Sequence, residues 1–203
     1  MQSSRLMKLL KLLSKTEFRR FRKFVQSPFH TMNEDLLPFY DALSKHHPHF
    51  NAPRLSRERI FQRAFPQKKY SVDRYYKLSY ELAELVEDYL LYLEVNHDDF
   101  HRRKMLTKIY GKRNQYDFFK KETKTLLSQL EALPYRDFEY YQMHSEFNYE
   151  YYFHVLTPKY TLKDSAIRDL ANSIDRKLVL EKFRIASELK SRERILSTKY
   201  EIS

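Results

Sequence analysis

Residues 71–95 read SVDRYYKLSYELAELVEDYLLYLEV, and this stretch decides the fold class. Its large apolar residues recur at helical spacing, at Leu82, Leu85, Val86, Tyr89 and Leu93. The acidic residues Glu84, Glu87 and Asp88 lie opposite them. A period of 3.6 residues with one apolar side predicts an amphipathic helix. No region of the chain alternates apolar and polar residues in the way that a half-buried strand does.

The helical pattern continues on both sides of that segment. Periodicity and proline positions together predict helices at residues 3–13, 14–26, 33–46, 56–65, 71–95, 98–113, 115–133, 136–157 and 162–195. Sequences of capping-box form, which satisfy backbone donors at a helix start, occur at Ser14-x-x-Glu17, Thr31-x-x-Glu34 and Thr161-x-x-Asp164. We therefore predict an all-α protein in which helix covers more than two thirds of the residues.

The scarcity of two residue types limits the classes of function. Gly111 is the only glycine in 203 residues, so the chain has no glycine-rich loop for phosphate or a dinucleotide. Cysteine is absent, which excludes disulfides, thiolate metal sites and cysteine nucleophiles. Neither a His-Glu-x-x-His zinc motif nor a serine nucleophile elbow occurs. We expect a protein that is not an enzyme and that uses no cofactor and no metal.

The helices divide into two predicted domains. Residues 1–95 are expected to form a basic N-terminal helical module, and residues 96–203 an irregular array of tetratricopeptide-like helical repeats. In the second domain the predicted helices pair, 98–113 with 115–133 and 136–157 with 162–195, as in helical-repeat proteins. The segment 136–157 carries aromatic residues on two sides, which predicts a helix packed between two neighbours.

The positive charge is concentrated near the N-terminus. The net charge of the chain is +11, and residues 1–70 hold 15 Lys and Arg against 5 Asp and Glu. The remaining residues hold 23 against 22. A local excess of this kind attracts anionic partners. The first third of the chain is therefore where we expect a polyanion to bind, if one binds at all.

Two basic surfaces are candidates for that role. The first lies on the two N-terminal helices and consists of Arg5, Lys8, Lys11, Lys15, Arg19, Arg20, Arg22 and Lys23. The second lies on a short helix–turn–helix at residues 56–77 and consists of Arg57, Arg59, Arg63, Lys68, Lys69, Arg74 and Lys77. Such residues bind nucleic acid by displacing its counterions. An anionic membrane surface, an acidic protein and simple solvation of the charges are the alternatives.

The last predicted helix ends without the polar cap that usually closes a repeat array. Its apolar pattern continues through Ile185, Leu189, Ile195 and Leu196. An exposed apolar stripe usually marks an interface. We expect these residues to contact a second copy of the chain, a following repeat of a longer chain, or a partner protein.

Several stretches resemble one family. Residues 13–29, LSKTEFRRFRKFVQSPF, with EDLL at 34–37 and RIFQRAFP at 59–66, resemble the start of an uncharacterised family of bacterial all-helical proteins. The sequence RKLVLEKFRIASEL at 176–189 is similar to the later, tetratricopeptide-like repeats of that family. The resemblance implies a fold and no activity. The tetratricopeptide Trp and Gly positions are missing, so it does not imply a consensus peptide groove.

The function that these observations favour is a cytoplasmic, non-enzymatic scaffold or adaptor that binds another protein through its helical repeats. The alternative is a nucleic-acid-binding protein that uses the basic N-terminal helices. The leucine-rich run at residues 6–13 is interrupted by two lysines. No stretch approaches the roughly 18 consecutive apolar residues of a membrane-spanning helix, so we expect no membrane span.

Overall fold

The computed structural model describes residues 4–50, 56–154, 157 and 164–196. Helix makes up 77% of the structure, and the described residues contain no strand. The predicted all-α class and a helical share above two thirds are therefore confirmed. The described helices are α1 (Arg5–Leu10), α2 (Lys15–Gln26), α3 (Leu36–Ser44), α4 (Arg57–Ala64), α5 (Val72–His97), α6 (Asp99–Lys112), α7 (Tyr116–Glu131), α8 (Phe138–Phe153) and α9 (Asp164–Leu196). In this part of the chain no helix is long and apolar enough to cross a membrane.

The start of α2 follows the capping-box prediction. The Ser14 hydroxyl accepts a hydrogen bond from the backbone N–H of Glu17 at 3.3 Å. In return, the Glu17 carboxylate accepts one from the backbone N–H of Ser14 at 2.8 Å. Two donors that the helix itself leaves unpaired are thereby satisfied. The hydrogen bonds with Ser14, together with the nearby positive charge of Arg20, also lower the pKa of Glu17.

The capping box predicted at Thr31 is wrong, and α3 begins later. The Thr31 hydroxyl accepts from the backbone N–H of Asn33 at 3.0 Å, and the Asn33 side chain accepts from that of Asp35 at 3.1 Å. The first of these local turns takes the Thr31 hydroxyl that the box needed. The helix therefore starts at Leu36, without a side-chain cap. The third predicted box begins at Thr161, which lies outside the described residues.

The chain divides into two compact units, Met1–His97 and Asp98–Ser203, which are described separately. The core of the first unit is aromatic, because rings from α2, α3 and α5 meet there. Phe21 lies 5.5 Å from Tyr40 and 5.2 Å from Tyr89, measured between ring centroids. Leu85 and Tyr89 are buried, as their spacing predicted. The long helix α5 is the surface on which α1, α2 and α3 pack.

Tyr40 ties α3 to α2 inside this core. Its side chain is only 2% exposed, and its hydroxyl donates to the backbone oxygen of Phe18 at 2.6 Å. Burial raises the pKa of Tyr40, so the phenol stays protonated and remains a donor. Tyr89 makes a comparable but longer bond of 3.2 Å to the backbone oxygen of Glu17.

We predict that Tyr40→Phe lowers the free energy of unfolding by about 1 kcal/mol, because it removes a short, buried hydrogen bond. Tyr89→Phe is the matched control and should lose less, since its bond is longer and less buried. Urea unfolding followed by circular dichroism measures both values. A larger loss for Tyr89→Phe than for Tyr40→Phe would contradict this assignment.

In the second unit, α8 packs against both α7 and α9. Phe147 is buried, as predicted, whereas Tyr141 and Tyr152 are only partly buried. The reason is that the neighbouring helices leave one side of α8 uncovered, and Tyr149 lies exposed on it. Lys104 and Lys108 of α6 also reach this helix, where both bind Glu146, at 2.7 and 3.1 Å.

The turn between α7 and α8 is closed by one arginine. The Arg136 guanidinium donates to the backbone oxygens of Glu131 and Leu130 at 2.9 and 3.1 Å. It thus satisfies carbonyls that the end of α7 leaves unpaired. Immediately after it, the Asp137 side chain accepts from the backbone N–H of Tyr140 at 2.9 Å and caps α8. These bonds fix Phe138 as the first residue of α8.

Gly111 occupies a helix and not a turn, and its backbone φ is not positive. A Cβ atom at this position would lie 3.2 Å from Nε2 of His154. The His154 ring stacks on Phe119 at 4.3 Å and also lies 3.3 Å from the Gly111 backbone oxygen. The turn that ends α6 instead uses Asn114, in the left-handed region at φ 57°. A methyl group at position 111 would therefore crowd the His154 ring, which packs closely against this turn of α6.

We predict that Gly111→Ala stabilises the protein by about 1 kcal/mol in a His154→Ala background, where only the gain in helix propensity remains. In the wild-type background the gain should be smaller, because the new methyl group meets the imidazole. Thermal or urea unfolding of the wild type, the two single variants and the double variant gives the free energy of coupling between positions 111 and 154. Equal effects in both backgrounds would show that close packing does not explain this glycine.

Candidate interaction surfaces

Helix α2 presents a row of positive charge to solvent. Its buried side consists of Phe18, Phe21, Phe24 and Val25. On the opposite side, Lys15, Arg19 and Lys23 follow one another at steps of four residues, and all three are exposed. We call these three residues the α2 basic row. None of them makes an ion pair with a carboxylate in the part of the chain that the structure describes.

Two other members of the first predicted surface have internal partners. Arg5 of α1 binds Glu84 and Glu87 of α5, each at 2.6 Å. Arg22 binds Asp41 of α3 through two parallel hydrogen bonds of 2.8 Å. These arginines therefore join helices of the first unit, and their charge is largely balanced. Three further members remain exposed, namely Lys8, Lys11 and Arg20.

The second predicted basic surface is partly used to hold the turn between α4 and α5. Both Lys68 and Arg74 bind Asp35, the former at 3.2 Å. Although partial burial opposes the charge, these two cations hold the pKa of Asp35 below its ordinary value. Lys77 lies 3.9 Å from Glu81.

The other four members of this surface, on α4 and in the turn, make no ion pair with a described carboxylate. The Arg57 guanidinium lies over the Tyr76 ring, 4.9 Å from its centroid. Three basic residues are exposed without an ion pair to a described carboxylate, namely Arg59, Arg63 and Lys69. The basic residues of 56–77 thus lie on α4, on α5 and in the turn between them. Fewer of them are without an ion pair to a described carboxylate than the sequence predicted.

Helix α9 exposes a row of large apolar side chains. They follow one another at steps of seven, four, seven and four residues, as Ile167, Ile174, Leu178, Ile185 and Leu189. The first four are between 41% and 54% exposed, and Leu189 is partly exposed. Because eleven residues are close to three helical turns, the five side chains lie along one side of the helix. We call them the α9 apolar row.

The second half of α9 continues beyond the start of α8. The two helices are antiparallel, since His144 contacts Ser173 at 2.8 Å and Arg176 donates to the Tyr141 hydroxyl at 3.1 Å. However, α8 has 16 residues and α9 has 33. Beyond α8 lies a groove of about 410 Å³, lined by Phe138, Glu181, Arg184, Ile185, Glu188, Leu189 and Arg192.

This groove contains part of the predicted C-terminal interface. Ile185 and Leu189 lie in it, whereas the side chains of Ile195 and Leu196 lie outside the described residues. The sequence reasoning missed Ile167, Ile174 and Leu178, which extend the row toward the start of α9. Ile174 and Leu178 precede Ile185 and Leu189 by eleven residues, and Ile167 precedes Leu178 by eleven. This spacing was the signal that identifies them.

A Ser–His contact in the second unit is structural. The Ser173 hydroxyl donates to the backbone oxygen of Asp169 at 2.8 Å, so it accepts from Nδ1 of His144. The imidazole is therefore not placed to remove the serine proton. Burial lowers the pKa of His144, which keeps the ring neutral near neutral pH. The contact joins α8 to α9 and gives no indication of hydrolysis.

Comparison of the chain with protein-family models, with curated proteins and with solved structures gave no match. The function must therefore be argued from the surfaces themselves. Two surfaces are distinguished by what they leave without a partner among the described residues: the α9 apolar row leaves apolar area, and the α2 basic row leaves charge.

Proposed function

We propose that this chain is a non-enzymatic scaffold or adaptor that binds a partner protein chain through α9. The observation that carries the proposal is the α9 apolar row, which stays exposed along a helix of 33 residues. Complete burial of one large aliphatic side chain is worth roughly 1.5–3 kcal/mol. Contiguous apolar area of this kind on a folded chain usually marks an interaction site.

The polar residues beside the row favour a specific interface over non-specific hydrophobic association. Glu181, Arg184, Glu188 and Arg192 flank Ile185 and Leu189 in the groove. An apolar centre with a charged rim is the usual organisation of a protein–protein interface. The rim charges add little affinity but select the partner and its direction.

The helix pairs α6–α7 and α8–α9 support a repeat-like arrangement. In helical-repeat proteins each pair covers the exposed side of the preceding pair, so the last pair leaves one side open. We propose this architecture, and membership of the bacterial family that the sequence resembles, as the context for the binding role. In such a context α9 is the helix that receives the next chain or the next repeat.

A site-specific photo-crosslinker tests the proposal. We predict that p-benzoylphenylalanine in place of Leu178 forms a discrete adduct with a protein chain when irradiated in the native host. The matched control is the same residue in place of Phe118, an exposed aromatic of α7 that lies off the row. Mass spectrometry identifies each adduct. No adduct at position 178, or the same adducts at both positions, would contradict the proposal.

A second function, binding of a polyanion such as nucleic acid, is favoured by the α2 basic row. Like charges four residues apart destabilise a helix by about 0.2–0.5 kcal/mol per pair. Lys15, Arg19 and Lys23 contain two such pairs, and no ion pair with a described carboxylate relieves them. A local cost without structural compensation is typical of a functional surface.

We predict that a triple variant with Lys15→Gln, Arg19→Gln and Lys23→Gln elutes from heparin at much lower salt than the wild type. Loss of three anion contacts should reduce the slope of log affinity against log salt by about 3. The control triple, with Arg59→Gln, Arg63→Gln and Lys69→Gln, removes the same charge from α4 and the following turn. Equal elution of the two variants would show that net charge alone is responsible.

A further inference from the structure

The charges that flank the centre of the α9 groove are arranged in a self-complementary order. Along the helix the signs alternate, with Glu181, Arg184, Glu188 and Arg192. Glu181 and Arg192 are opposite in charge and equally distant from a point between Ala186 and Ser187. Arg184 and Glu188 are likewise opposite in charge, and their midpoint falls at Ala186. On a reversed copy of the helix aligned at residues 186–187, each of these four charges therefore lies within one residue of an opposite charge.

The apolar side chains of the groove are centred close to the same place. Ile185 and Leu189, the two apolar α9 residues of the groove, are centred on Ser187. An antiparallel register about residues 186–187 would therefore bring Glu181 opposite Arg192, and it would place Arg184 within one residue of Glu188 and Ile185 within one residue of Leu189. A two-fold axis repeats each of these contacts, which is the property of an isologous dimer interface.

Resting on the proposed binding role of α9, we propose that its partner is a second copy of this chain. The two copies of α9 pair antiparallel, with a two-fold axis level with residues 186–187. In a parallel arrangement each charged residue would face its own copy, and the like charges would repel. The charge order therefore selects the antiparallel direction.

The groove has the location that this pairing requires. Helix α8 begins at Phe138, so it does not run beside the later residues of α9. The groove lies along those residues. Within the helix, Arg192 already binds Glu188 at 2.9 Å, but their side chains are 58% and 63% exposed. A carboxylate accepts several donors, so an exposed pair of this kind is able to bind a second pair across the axis.

Sedimentation velocity of the full chain over a concentration series provides the test. The wild type is expected to show a reversible monomer–dimer equilibrium. Glu181→Arg and Arg192→Glu each place like charges opposite one another twice per dimer, so each should raise the dissociation constant at least about tenfold. Mixed one to one, the two variants regain both complementary pairs, and the heterodimer should form about as well as the wild-type dimer. Circular dichroism checks that each variant keeps its helix content.

The control is Lys190→Glu, an exposed charge reversal on another side of α9, which should leave the dissociation constant unchanged. A dimer whose variants do not complement each other would overturn the proposed register. A monomeric wild type would overturn the dimer altogether. In that case an adduct at Leu178 with a different protein leaves the proposed function intact, and the absence of any adduct removes both proposals.

Discussion

The hydrogen bonds of Arg136 to the last carbonyls of α7 determine how much of α9 is covered. They close α7 at Leu130 and Glu131, and the cap at Asp137 then starts α8 at Phe138. Because α8 begins there and runs antiparallel to α9, it covers only the first half of the longer helix. The groove beside the second half of α9 follows from this placement. The candidate interface is therefore produced by a helix-capping interaction on a neighbouring element.

The basic charge of the first unit serves two different purposes. Some cations hold helices together, as Arg22 does with Asp41, and as Lys68 and Arg74 do with Asp35. Partners at close range balance these charges, which then contribute little to the field around the protein. The α2 basic row has no such partners among the described residues. The positive field of the unit thus depends on a few positions, although residues 1–70 hold 15 Lys and Arg against 5 Asp and Glu.

Local sequence information was sufficient for the helices and insufficient for the contacts between them. The spacing in residues 71–95 and the box at Ser14 depend on near neighbours, and both are found in the structure. The false box at Thr31 arose because the Thr31 hydroxyl accepts from the backbone N–H of Asn33, in a local turn, and the helix begins only at Leu36. The Arg5–Glu87 pair joins residues 82 positions apart, and no periodicity predicts it. Of the α9 apolar row, the predicted interface included only Ile185 and Leu189, although Ile174 and Leu178 precede them by eleven residues on the same side of the helix.

An apolar row alone would specify very little about a partner. Aliphatic side chains pack against almost any apolar surface, and they tolerate either direction and several registers. Charged residues restrict the direction and register of the contact more strongly, because each contact between like charges opposes association. On α9, an antiparallel register about residues 186–187 brings the opposite charges at 181 and 192 together and those at 184 and 188 within one residue of each other, and the apolar residues of the groove are centred on residue 187. In the proposed dimer the apolar row therefore provides the driving force, while the order of charges favours one arrangement of two identical helices.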